Sequence, residues 1–81
     1  MNSQPQPANE SDPHPAGPLR FVGRQCSFDH NGKRLVGMVE AATYAGRTIR
    51  GAIPDYTLTI RGKSGAALTI SLVESKTSFK A

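Results

Sequence analysis

The side chains best placed to do chemistry in this chain are five cations: Lys33, Arg34, Arg50, Arg61 and Lys63. Lys33 and Arg34 follow an Asn-Gly pair. Arg50 ends an apolar-alternating segment. Arg61 and Lys63 continue the polar phase of Thr57 and Thr59. On neighbouring strands such a set makes a basic stripe on the outer face of a sheet. Cations placed this way neutralise phosphates, which gives affinity and register but reads no sequence. These five are therefore the expected nucleic-acid-binding residues, with RNA or DNA as the partner; the electrostatics do not separate the two. For base stacking only Tyr44 is free to offer a ring, since Tyr56 is phased inward, whereas single-strand binders use several exposed aromatics.

A catalytic reading finds less support. Cys26, Asp29 and His30 are close in sequence, but a Cys–His nucleophile pair draws its members from separate elements and orients the base with a third group. Cys26 reads as a small buried thiol, and Asp29-His30 as the start of a polar turn. His14 has no evident partner. Gly62-Lys63-Ser64 has the ending of a phosphate loop without its upstream glycine spacing or following helix. A single cysteine excludes an internal disulfide and argues against a four-ligand zinc site. No cofactor and no enzymatic activity are expected.

What must position the cations is a small domain. The 81 residues carry ten Lys and Arg against six Asp and Glu. Residues 1–18 hold five of the six prolines, no Lys or Arg, and no Val, Ile, Leu or aromatic residue. Such a segment cannot bury enough apolar surface to offset its ordering entropy, so it reads as a disordered Pro-rich tail. It lacks the basic start and apolar run of a signal peptide. The remainder, residues 19–81, has a net charge of +6 against −2 for the tail. That asymmetry favours an anionic partner. No apolar run reaches the length of a membrane span, so no membrane partner is expected, and the lack of a disulfide framework fits a reducing cytoplasm.

Leu19 to Phe28 reads as a first strand, with Val22, Arg24, Cys26 and Phe28 on one face and Phe21 on the other. Asn31-Gly32 supplies the positive φ angles of a hairpin turn. Arg34 to Val39 is a second strand, apolar on both faces: Leu35 and Val39 point one way, Val36 and Met38 the other. Gly37 inside it suits a sharply bent strand. Glu40 to Gly46 is either a helical turn or two ended by Gly46, or a wide loop; a loop with a short turn is favoured. Thr48 to Ile53 is a third strand candidate, and Tyr56 to Arg61 is the clearest strand. Gly62 to Gly65 is a hairpin loop leading to Leu68, Ile70 and Leu72. Residues 74–81 are polar and expected to fray, with Phe79 able to dock. Thr-Ile-Arg-Gly occurs at 48–51 and again at 59–62, too few copies for a solenoid. Short strands at this spacing predict an all-β fold, a small SH3-like barrel of four to five antiparallel strands.

Residues 31–40 resemble the first signature of Sm-like proteins, Hfq-type RNA chaperones included: Asn31-Gly32, Leu35, Gly37 and Val39, followed by Glu40. The run Leu68 to Val73 is similar to the final strand of that fold. The resemblance implies a five-stranded barrel that forms rings and binds RNA. The family's N-terminal helix and the Lys-His pair of the Hfq second signature have no counterpart here. The head-plus-barrel organisation is also similar to small plasmid-type dihydrofolate reductases, but Leu68-Thr69-Ile70-Ser71 lacks the glutamine and tyrosine of their active-site strand. The expected function is a non-catalytic nucleic-acid-binding accessory or regulatory module. The alternative is a protein-interaction or assembly module that self-associates, because Leu35 to Val39 is apolar on both faces.

Overall fold

In the computed structural model, which describes residues 12–48 and 51–80, Asn31 and Gly32 have φ of 52° and 78°. Two successive positive φ angles give the turn whose twist matches a β-hairpin. The turn joins β1 (Gln25–His30) to β2 (Lys33–Arg47). β3 (Pro54–Arg61), β4 (Ala67–Ser71) and the two-residue β5 (Ser78–Phe79) complete a single antiparallel sheet in the order β4-β3-β2-β1-β5. The fold is all-β, with five strands.

β2 is the spine. Its first half pairs with β1, from His30↔Lys33 to Gln25↔Met38. Its second half pairs with β3, from Met38↔Arg61 to Arg47↔Pro54. An irregularity between Val39 and Ala41 leaves Glu40 as an extra residue. Such a bulge inverts the side-chain phase, so Val39 faces inward before it and Ala42 and Tyr44 after it. The expected loop at Glu40–Gly46 is therefore strand. Ala41, Ala42 and Gly46 have little β-propensity of their own, and pairing with β3 overrides it.

One face of the sheet is buried. Phe28, Val39, Leu58 and Ile60 are its largest fully buried side chains, each contributing roughly 1.5–3 kcal/mol relative to exposure. Gly37, opposite Cys26 on this face, leaves room for Ile60. A Cβ there would overlap Ile60 Cγ2 and lie 2.9 Å from the Arg61 carbonyl oxygen. The glycine expected to bend β2 thus also lets β3 approach it.

Three further expectations change. Leu19 does not begin a strand: Pro18–Phe21 is a 3₁₀ helix, started by a proline whose fixed φ suits a first helical position. Val22 and Arg24 are exposed, whereas Cys26 and Phe28 are buried. Phe21 swings into the core, stacked on Phe79 (5.1 Å) and edge-on to Tyr56 (4.8 Å). The third strand candidate is a turn at its described residues. Thr48 accepts hydrogen bonds from the amides of Gly51, Ala52 and Ile53, and Ala52 has φ of 51°. Lastly, residues 74–80 do not fray. Phe79 pairs with Cys26, and the amides of Asp29 and Lys80 bond to Ser75 and Gln25. Among the described residues, no helix is long and apolar enough to cross a membrane.

Candidate functional site: the outward face of β1, β2 and β3

Residues opposite one another in an antiparallel pair project to the same face. The register therefore sets Gln25, Ser27 and Asp29 of β1 beside Met38, Val36 and Arg34 of β2, and Met38 beside Arg61 of β3. At the centre stand Val36 and Met38, 48% and 50% exposed. The phase expected for Val36 and Met38 is thus the phase observed.

Both arginines on this face are engaged. Arg34 donates to Asp29 Oδ1 at 2.8 Å, Ser27 Oγ at 3.1 Å and Ser78 Oγ at 3.3 Å, tying β2 to β1 and β5. Arg61 donates from Nε and Nη2 to the two oxygens of Glu40 at 2.8 and 2.9 Å, and from Nη1 to the Gly65 carbonyl. The hydrogen bond from Arg61 holds the Glu40 carboxyl below its ordinary range, and the carboxylate raises the Arg61 pKa in return. A groove of about 420 Å³ runs from Val36 to the core residues Phe28, Leu35, Ile60 and Leu68, with Arg34 and Lys63 at its polar side, and a second is lined by Gln25, Ser27, Ser78 and Lys80.

Of the five expected cations, then, Arg34, Arg61 and Lys63 come together around Val36 and Met38. Lys33 sits exposed at the β1–β2 turn. Arg50 lies outside the described residues. The stripe is not uniformly basic, because Asp29 and Glu40 are part of it. Asp29 stands opposite Arg34 across the Asn31-Gly32 turn, whereas Glu40 reaches Arg61 through the register Met38↔Arg61, which no local pattern announces. Tyr44 is not free: it is half-buried, its ring 5.5 Å from that of Tyr56, and its buried hydroxyl has no partner among the described residues. Every aromatic side chain is buried or half-buried, so no open stacking platform is present among the described residues. Cys26 is buried, and desolvation pushes its thiol pKa up against a smaller lowering by Arg34. No group of three His, Cys, Asp or Glu side chains among the described residues is placed to hold a metal.

A second polar cluster lies where the chain enters the fold. Asp12, read from composition as part of the tail, bonds side chains of the folded domain. The Tyr56 hydroxyl donates to Asp12 Oδ1 at 2.5 Å, and Arg20 bonds both Asp12 Oδ2 (2.9 Å) and the Tyr56 oxygen (2.8 Å). The sequence pattern signals only the inward phase of Tyr56; Asp12 and Arg20 carry no recognisable motif. Comparisons with protein-family models, curated proteins and solved structures give no match to this chain.

Proposed function

We propose that the protein is a non-catalytic interaction module that self-associates through the outward face of β1, β2 and β3. The observation that carries this reading is the exposed Val36–Met38 pair, ringed by Arg34–Asp29 and Arg61–Glu40. An apolar centre that includes a Met, with Arg at a polar rim, matches the usual anatomy of a protein interface. Both charge signs are present on the one face. A two-fold-related copy can therefore offer each arginine a carboxylate, as a self-complementary interface requires. Association also suits a domain with a core this small.

Sedimentation equilibrium tests it. The native chain is expected to associate, and Met38→Glu to sediment as a monomer with an unchanged circular dichroism spectrum. A native chain that stays monomeric at every concentration rejects the proposal.

A second reading, RNA or DNA binding, is favoured by Lys33 and Lys63. Neither has a hydrogen-bonded or ion-paired partner among the described residues, and residues 19–81 carry +6. Exposed ion pairs are weak, so Arg34 and Arg61 can exchange carboxylate for phosphate. Fluorescence anisotropy with single-stranded RNA, single-stranded DNA and duplex DNA at two salt concentrations tests this. Binding that falls steeply with salt supports it; no binding to any probe at low salt removes it.

A further inference from the structure

The carboxylate of Asp12 sits in a socket that the folded domain supplies. Tyr56, buried on β3, directs its hydroxyl at Oδ1, and Arg20, in the 3₁₀ helix, directs Nη1 at Oδ2. Arg20 is itself held in place. Its guanidinium lies 4.4 Å from the Phe21 ring centroid and 5.0 Å from that of Tyr56, and it bonds the Gly17 carbonyl at 2.6 Å. Stacking on two rings fixes a guanidinium and leaves its donor edge free to meet a carboxylate. The socket continues into a groove of about 490 Å³, where Phe21, Pro54, Tyr56 and Leu72 face Pro13 and Pro15.

The occupant is held far less firmly than the socket. Within the segment 12–17 the backbone amides bond locally: that of Gly17 to the His14 carbonyl, that of His14 to Asp12 Oδ1 and that of Ala16 to His14 Nδ1. No strand pairing holds it, and residues 13–16 are exposed. Its hold on the domain rests on one carboxylate, 6% exposed, on the prolines that follow, and on the Gly17 carbonyl that accepts from Arg20 where the segment joins the 3₁₀ helix.

We propose that Arg20, Tyr56 and the adjoining Phe21–Pro54–Leu72 groove form a receptor for an acidic-residue–proline segment of a partner protein, and that Asp12-Pro13 is its displaceable intramolecular occupant. The chemistry selects the ligand. Two converging donors, one of them cationic, demand a carboxylate. An aromatic and apolar groove next to them favours the stiff, extended backbone that proline imposes. The receptor shares no residue with the outward face and stands whether or not that face self-associates.

The test uses the full chain and an acetylated peptide of residues 11–17. In Asp12→Ala the socket is intact and its own carboxylate is gone. Peptide binding, followed by NMR at the Arg20 Nε–H and Tyr56 signals, is expected to be at least ~10-fold tighter than to the native chain, where the tethered occupant competes at high effective concentration. The same peptide carrying Asn in place of its Asp is expected not to bind, and Tyr56→Phe in the Asp12→Ala background to weaken binding. Equal affinity for native and Asp12→Ala chains, or binding indifferent to the peptide's carboxylate, overturns the proposal. Should Asp12→Ala unfold, the native chain in excess peptide answers the same question. The Asp12 carboxyl ¹³C signal moves to its free-carboxylate position if the peptide displaces it, and an unmoved signal overturns the proposal.

Discussion

Arg61–Glu40 and Arg20–Asp12 are the same chemical pair in two settings. The first bridges β2 and β3 on the outward face, its side chains 50% and 40% exposed; the second ties the incoming chain to the core edge at 25% and 6%. Both carboxyls lie below their ordinary range, but for different reasons. At Glu40 the hydrogen bond from Arg61 comes first and desolvation opposes it only in part. At Asp12 desolvation is the largest influence and acts upward, and it is outweighed by the hydrogen bonds from Tyr56, the His14 amide and Arg20. An ion pair at the surface is a loose association of charges. One with a buried phenol as third member has a defined geometry that any carboxylate in the site must meet, because a misplaced partner there leaves a polar group unsatisfied.

The largest effect separating the two settings is expected at Tyr56. Tyr56→Phe removes the hydroxyl shared by Asp12 and Arg20 and should destabilise the fold by about 1–2 kcal/mol, read from denaturant unfolding. Tyr44→Phe, one ring away, removes a buried hydroxyl that has no partner among the described residues and should cost nothing. Equal losses at the two positions would mean that the Asp12 cluster adds no stability of its own.

A smaller effect is expected from acid. Asp12 has an ordinary value near 3.8 and a lower one in the fold. Its contribution is therefore complete above the unfolded value and lost as pH falls through the folded one. Glu40, ordinarily near 4.5 and also lowered, follows the same sign. Salt tells them apart in an NMR titration of the two carboxyls. At high ionic strength the Glu40 value should return toward its ordinary range while that of Asp12 stays low, because exposed pairs are screened and enclosed ones far less so. Identical salt responses would erase the distinction. The smallest change is expected for Arg61→Ala, whose thermal midpoint should be indistinguishable from that of the native chain.

The strands bounded by strong alternation were legible in the sequence. Tyr56 to Arg61 and the Asn31-Gly32 turn follow from residue type and period alone. The inward and outward phases of Leu35, Val36, Met38 and Val39 were also readable. What was not legible depended on partners distant in sequence. The bulge at Glu40 inverts the side-chain phase, so Ala42 and Tyr44 face the core where simple alternation places Ala41 and Thr43. The two Thr-Ile-Arg-Gly segments differ for a similar reason: the second is paired with β4, whereas the described part of the first is closed on itself by Thr48. For Arg61 the outward position was readable and its pairing with Glu40, 21 residues away, was not. Asp12 meets Tyr56 across 44 residues of chain, a distance over which periodicity carries no information.

The sole cysteine gives the molecule a built-in reporter of its own breathing. Cys26 is buried in β1 between Gly37 of β2 and Phe79 of β5, with its thiol pKa pushed up. It is kept from reagents by both its protonation and its enclosure. Modification by a thiol reagent then has to wait for the two-residue β5 to lift or for β1 to separate from β2. The rate of labelling in native buffer therefore measures how often this edge of the sheet opens, with no engineered probe and no denaturant.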